Sequence, residues 1–318
     1  MAETSVTTRT DPLTTPGLRV AAAAGVLLVA YSYLAALWPS RHSSTPRPVT
    51  IIRAWVNRPT GLGEDFGHLG TVLLLLVAGF AITGAVCTGR RARLARAGLI
   101  PLGIAVALGA LVRVVGGGVL TDVAVVAPVV AAGCFAVSTS ALLPLLHRHP
   151  VPAVFVPLAV ACVVALLAGS AAGSEAARVA GSAAAFVPML VVGQVSWMVR
   201  TGRLPNAVGV VFGLVCLGAT VGADVVFPEY SAFWRPLGGV VASVLFLIAL
   251  PRSGSFAATG PVRWLADRAW PLVLAVPVIG FPALDLLSGL PFVLGLPVAA
   301  AAVGVGGEAL HRVVGWAA

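Results

Sequence analysis

Charged residues are scarce in this chain, and lysine is absent altogether. Only 10% of the 318 residues are charged, and all 20 basic residues are arginine. Soluble domains carry about 25% charged residues, so this composition excludes an ordinary soluble enzyme. Hydrophobic residues make up 59% of the chain and the mean hydropathy is +1.01, which is typical of a protein that lies mainly in lipid.

Cysteines are few, and the common catalytic motifs are missing. The four cysteines fall in apolar runs without CxxC spacing, which favours reduced core residues over disulfides or metal ligands. No P-loop, GxSxG or HExxH pattern is present, which argues against the enzyme classes that depend on them. His147, Arg148 and His149 have no acidic or cysteine neighbour in the sequence, so we predict no metal site.

Long uncharged runs take the place of these features. His68 to Cys87 contains no Asp, Glu, Lys or Arg, and at about 1.5 Å per helical residue it crosses the roughly 30 Å hydrocarbon layer. The sequence therefore predicts an all-α polytopic integral membrane helical bundle of about ten transmembrane helices. Their predicted positions are 18–38, 68–87, 97–115, 122–146, 151–172, 177–198, 204–227, 233–250, 269–287 and 290–314.

The arginines predict an orientation in the membrane. With both termini cytoplasmic, 13 arginines lie on the cytoplasmic side and seven on the other, in agreement with the positive-inside rule. Residues 1–16 are then a mobile polar tail, residues 17–318 a single transmembrane domain, and residues 39–65 an extracytoplasmic loop. Within this loop, Ile51 to Val56 is a candidate interfacial segment.

The same topology explains the net charge of +9. In a membrane protein such a charge reflects cytoplasmic loops and contact with anionic headgroups, so we predict the lipid bilayer as partner and no nucleic acid. The localisation expected is the cell membrane, with multiple passes. Three Gly-x-x-x-Gly pairs, at 169/173, 209/213 and 218/222, predict sites of close helix packing.

Short runs near both ends of the chain carry a family resemblance. Leu18-Arg19 opens the first span, Ala78-Gly79-Phe80-Ala81-Ile82-Thr83 closes the second, and four arginines and Pro101 follow. Near the C-terminus stand Ala269-Trp270-Pro271-Leu272-Val273-Leu274 and His311-Arg312-Val313-Val314. Together these runs resemble the motifs of the acyltransferase-3 family, which are integral membrane enzymes that move acyl groups onto extracytoplasmic sugars.

The resemblance implies a donor, an acceptor and residues that bind the donor. An acetyl or other acyl group would pass from acyl-CoA, such as acetyl-CoA, to an envelope glycan or another small hydroxylated acceptor. A guanidinium pairs with phosphate in bidentate fashion, so Arg19 and the cluster after the second span would hold the donor. An anchor that snorkels to headgroups and a topology signal are the alternative interpretations. The cluster consists of Arg90, Arg91, Arg93 and Arg96.

The family's catalytic histidine is missing, because its position falls on Ala30. Acyl transfer to a hydroxyl needs a proton acceptor, and His68, close to Glu64 and Asp65, is a candidate. Tyr31 would replace the missing histidine as a hydrogen-bond donor. A solvated loop histidine and a packing tyrosine are the alternatives, so the catalytic residue stays unassigned.

A second function remains open for the same scaffold. The missing polar residues favour a non-catalytic membrane protein, either a partner subunit or a small-solute carrier. A carrier would line its path with intramembrane charges, for which Arg113, Asp224 and Asp285 are candidates.

Overall fold

A computed structural model describes residues 15–42, 46–62, 65–89, 123–170, 174–226 and 234–316. The predicted third span, 97–115, lies outside these residues, as do nearly all of the predicted tail, the cluster from Arg90 to Arg96, and Arg113. The regular secondary structure of the described part is helical throughout. The prediction of an all-α protein is therefore confirmed for this part of the chain.

The helices follow the apolar runs closely. We number them α1 Pro16–Ala30, α2 Trp38–Arg41, α3 Arg47–Ile52, α4 Arg58–Thr60, α5 Gly67–Cys87, α6 Val123–Ala141, α7 Leu143–Arg148, α8 Pro150–Ser170, α9 Glu175–Arg200, α10 Asn206–Val226, α11 Trp234–Ala249, α12 Gly260–Asp267, α13 Ala269–Ala275, α14 Phe281–Leu286 and α15 Phe292–Trp316.

Seven helical stretches are long and apolar enough to cross a membrane, which supports a multi-pass protein. They are Pro16–Ser40, Gly67–Cys87, Pro150–Ser170, Ala176–Arg200, Asn206–Ala223, Ala269–Leu286 and Phe292–Val313. Two shorter apolar helices, Ala127–Ala141 and Pro236–Ala249, coincide with predicted spans as well.

Two of the spans contain a wider, π-helical turn. In the first, Tyr31–Leu37 joins α1 to α2, and in the other Val276–Gly280 joins α13 to α14. Pro277 lies in the second turn, and proline removes a backbone donor from the helical ladder. These two turns pack against each other in the bundle, and Tyr33 and Phe281 bring their rings to 6.0 Å there.

Contacts between helix ends define two faces of the bundle. On one side Gly17 packs against the backbone of Ala249 and Arg252, and Arg203 Nη1 lies 3.6 Å from Cys87 Sγ. We call this the terminal face. On the other side Ser32 binds Asp65 and Trp38 binds Asp285, and we call this the far face. The first span therefore runs from the terminal face to the far face, and α5 runs back in the opposite direction.

The helix α5 is the centre of the bundle and is apolar all round. Gly79 packs against the backbone of Leu190 in α9, and Gly193 packs in turn against Leu76. On another side of α5, Gly70 meets Gly25 of α1. Glycine allows backbones to approach this closely, which matters because lipid removes the hydrophobic drive for helices to associate.

The glycine pairs singled out in the sequence lie elsewhere. Gly209 packs against Val199, whereas a methyl group added at Gly213, Gly218 or Gly222 would have no described atom within 4 Å. Helix α10 leaves large apolar side chains such as Leu214 exposed. The closest approaches to a helix backbone, at Gly17, Gly79 and Gly193, therefore lie outside these pairs. Gly173 of the remaining pair lies outside the described residues.

Replacing Gly79 by alanine tests the central contact. In Gly79→Ala the new methyl group would clash with the backbone of Leu190, so we expect a loss of about 1–3 kcal/mol in the free energy of unfolding. Gly213→Ala is the matched control, because its methyl group meets no described atom. Unfolding titrations in mixed micelles measure both, and equal stability of the two variants would contradict the prediction.

Candidate functional site

Asp65 ties three segments together on the far face. Its Oδ1 accepts hydrogen bonds from Ser32 Oγ at 2.8 Å and from the Gly67 backbone N–H at 2.7 Å. The fully buried Asn57 makes two further hydrogen bonds once the oxygen and nitrogen of its side-chain amide are exchanged. The amide nitrogen then donates to Ile52 O at 3.2 Å, and the amide oxygen accepts from Asp65 N at 3.3 Å. The first span, the loop and the start of α5 thus meet at one aspartate.

Tyr31 belongs to this polar group. It stands at the first position of the π-helical turn, and its ring lies 6.0 Å from that of Phe66. Asp65 and Arg53 both lie close enough to act electrostatically on its phenol. π-helical turns are frequent at functional sites. Tyr31, a predicted candidate for the catalytic site, therefore lies in such a turn and next to a carboxylate.

His68 occupies a different environment from Tyr31. Its ring lies 6.1 Å from Phe186 of α9, and its Cδ2 faces Gly238 of α11. The residue is half-buried and its Nε2 is buried. His68 is therefore packed between helices and is not a freely solvated loop residue.

A second polar group on the far face joins the end of the first span to α14. Trp38 Nε1 donates to Asp285 Oδ1 at 2.7 Å, and His42 Nε2 lies 3.5 Å from the same oxygen. His42 Nδ1 lies 3.0 Å from Trp38 O, and the two rings stack at 4.2 Å. Because a carbonyl only accepts, Nδ1 is the nitrogen that carries the proton in its contact with Trp38 O.

Sequence reasoning did not name His42, Ser32 or Asn57 as site residues. The signal for His42 was its spacing of four from Trp38, which places both side chains on one helix face. Asp285 was named only as a candidate intramembrane charge, and its side chain is 51% exposed at the far face. The side chain of Asp224 lies outside the described part.

Gln194 is a buried polar side chain at the middle of the bundle. It is 0% exposed, and it follows Gly193, which packs against Leu76 and Phe80 halfway along α5. Neither its Oε1 nor its Nε2 has a hydrogen-bond partner among the described residues. An unsatisfied polar group in such a place is costly, which makes Gln194 a candidate position for a polar ligand or water.

Most arginines of the terminal face have structural partners. Arg200 Nη1 donates to Leu250 O at 2.7 Å, and the Arg203 guanidinium lies 5.1 Å above the Trp197 ring. Glu308 binds both Arg268 and Arg312. These contacts hold the ends of α5, α9, α11 and α15 in place.

Arg19 differs from them. It lies in the first turns of α1 and is half-buried, and its Nε is buried without a hydrogen-bond partner among the described residues. A guanidinium with an unused buried donor is suited to an anion such as phosphate. Of the predicted donor-binding residues, Arg19 alone lies in the described part, since Arg90, Arg91 and Arg93 lie outside it.

Within the described ranges, no three His, Cys, Asp or Glu side chains converge as metal ligands would. No family model matches the chain, and no curated protein or solved structure matches it. The resemblance to the acyltransferase-3 family therefore stays a prediction from the motifs.

Replacing Gln194 by leucine tests whether its amide is satisfied. If it has no partner, Gln194→Leu removes the desolvation cost of a buried amide and raises the free energy of unfolding by about 1–3 kcal/mol. Unfolding titrations in mixed micelles measure this change. Thr220→Val is the control, because the Thr220 hydroxyl donates to Cys216 O at 3.0 Å and its loss should not stabilise. A loss of stability in Gln194→Leu would indicate a bound partner.

Proposed function

We propose that the protein is an acyltransferase-3-like integral membrane enzyme. It transfers an acyl group, such as acetyl, from acyl-CoA to a hydroxyl group of an envelope glycan or another small acceptor. In this proposal the bundle has ten spans, the terminal face is cytoplasmic and the far face is extracytoplasmic. The arginines on the terminal face support this orientation, because Arg148, Arg200, Arg203, Arg252, Arg263, Arg268 and Arg312 all precede or follow spans there.

The observation that carries the proposal is the position of Tyr31 and Asp65 relative to Arg19. Twelve helical residues separate Arg19 from Tyr31, which corresponds to about 18 Å. This length is comparable to the extended phosphopantetheine arm of coenzyme A. A donor with its phosphates at Arg19 would therefore bring its thioester to the level of Tyr31, Ser32 and Asp65, next to the family's histidine position at Ala30.

The residues at that level suit acyl transfer. The acceptor hydroxyl gives its proton to Asp65 while its oxygen attacks the thioester carbonyl. Tyr31 donates a hydrogen bond to the developing oxyanion. The carbon–sulfur bond then breaks, and coenzyme A leaves as a thiol with the proton from Asp65. Ser32 and the Gly67 backbone hold the carboxylate in a fixed orientation.

His42 is the second candidate for the proton acceptor. Its Nε2 lies 3.5 Å from Asp285 Oδ1, so an imidazole nitrogen and a carboxylate oxygen meet at this position. The distance between His42 and Arg19 argues against this role, because 23 residues at the helical rise correspond to about 35 Å. A donor held at Arg19 would have to reach nearly across the membrane.

Substitutions at the two far-face groups distinguish Asp65 from His42 as the proton acceptor. We expect Asp65→Asn and Tyr31→Phe to lower transfer from radiolabelled acetyl-CoA by about 100-fold or more, as loss of a general base or oxyanion donor does. His42→Gln should retain most of the transfer. Loss of transfer in His42→Gln alone would move the reaction centre to Asp285 and His42.

Donor binding gives an independent prediction. Saturable binding of acetyl-CoA to the solubilised protein, measured by calorimetry, should disappear in Arg19→Ala, because its guanidinium pairs with a donor phosphate. Tyr31→Phe should bind the donor as wild type does, since it acts on the thioester. Unchanged binding in Arg19→Ala would contradict the assignment of the donor site.

A carrier function has one observation in its favour, which is the buried Gln194. Both polar atoms of its amide lack partners within the described residues, and polar side chains inside a membrane bundle often mark a solute pathway. In a carrier, Gln194→Leu would abolish solute uptake into vesicles while Asp65→Asn would leave it unchanged. In the enzyme, transfer would follow Asp65.

A further inference from the structure

The loop between the first two spans forms a helix with an exposed apolar side. This loop helix covers residues 47–60 and consists of α3, the π-helical turn Arg53–Asn57 and α4. Ile51 is 57% exposed, Trp55 is 78% exposed and Val56 is 41% exposed. We call these three exposed side chains the ridge. Large apolar side chains that are exposed together often mark an interaction site.

The inner side of the loop helix is fixed at the level of the membrane spans. The buried Val49 packs against Ala35 and Ala36 of the first span, with Leu296 of α15 beside them. Ala35 and Ala36 lie within Pro16–Ser40, and Leu296 lies within Phe292–Val313. The loop helix therefore packs on the flank of the bundle, several residues inside the ends of these two spans.

Hydrogen bonds at its far end hold the loop helix down as well. Asn57 is fully buried and bonds to Asp65, just before α5 begins. The chain thus leaves the first span at His42, runs along the bundle and re-enters at Gly67. Both ends of the loop helix are therefore held against the bundle, by Val49 near its start and by Asn57 near its end.

The outer side of the loop helix has the residues of an interfacial helix. Ile51 and Trp55 are four residues apart and share one helix face, and tryptophan is favoured at the membrane interface. Residues 46–62 include Arg47, Arg53 and Arg58 but no acidic residue, which suits the negative phosphates of phospholipids. Interfacial amphipathic helices bury their apolar side about 5–10 Å into the boundary between headgroups and acyl chains.

We propose that the loop helix lies in the phospholipid headgroup layer of the far leaflet, with Ile51 and Trp55 inserted among the upper acyl chains. Arg47 and Arg58 lie at its two ends, where lipid phosphates are within reach. The lipids of this leaflet are what cover the ridge. This inference depends on the spans crossing a membrane and is independent of acyl transfer.

Tryptophan fluorescence in vesicles tests the proposal on the full chain. The emission of Trp55 is obtained as the difference between wild type and Trp55→Phe, both in phosphatidylcholine and phosphatidylglycerol vesicles. Bromines near the top of the acyl chains should remove more than half of this difference emission. Aqueous iodide should quench it several-fold less than it quenches free tryptophan.

Two outcomes would overturn the proposal. Quenching by iodide equal to that of free tryptophan would place Trp55 in water. Protection from both quenchers would mean that a second copy or another protein covers the ridge. The difference between wild type and Trp197→Phe is the matched control, because Trp197 is 7% exposed inside the bundle and should respond weakly to both quenchers.

A charge placed on the ridge gives a second test. Trp55→Asp and Ile51→Asp should lower the stability of the reconstituted protein, since a carboxylate is poorly accommodated among acyl chains. Thr60→Asp is the control, because it lies at the exposed end of the same helix. Equal stability of all three variants in vesicles would contradict lipid insertion.

Discussion

Close contact between helix backbones is the constraint on which the rest of the bundle depends. Lipid offers no hydrophobic drive for one apolar helix to associate with another, so packing at short range supplies the attraction. Gly79, Gly193, Gly25 and Gly70 let α1 and α9 approach α5 from different sides. The far-face and terminal-face groups keep their geometry because these contacts fix the helices that carry them.

Hydropathy predicted the spans well because it depends on the difference between lipid and water. The predicted 68–87 corresponds to Gly67–Cys87, and 151–172 corresponds to Pro150–Ser170. The closest helix contacts were harder to predict. The Gly-x-x-x-Gly rule selected Gly209, which packs against Val199, but also Gly213 and Gly222, where an added methyl group would meet no described atom within 4 Å. The rule fails there because the sequence does not tell which helices are neighbours or which side of a helix faces lipid.

The candidate site was only partly predictable for a related reason. Tyr31 could be named because the motif resemblance placed it beside the position of a missing histidine. Its environment depends on contacts between distant residues, such as Ser32 with Asp65, 33 positions apart. No local pattern marks Gln194 as unsatisfied either, since this follows from the helices that surround it. Long-range pairing is the information that a single sequence lacks.

The hydrogen bond between Trp38 and Asp285 has a consequence for biogenesis. The two residues are 247 positions apart, and at about 5–20 residues per second a ribosome needs roughly 12–50 s to make the intervening chain. The Trp38 indole therefore has to wait for this partner until nearly the whole chain has been made. A chain that terminates before Asp285 would lack this hydrogen bond between the first span and α14. Quality-control proteases would then encounter an incompletely packed bundle.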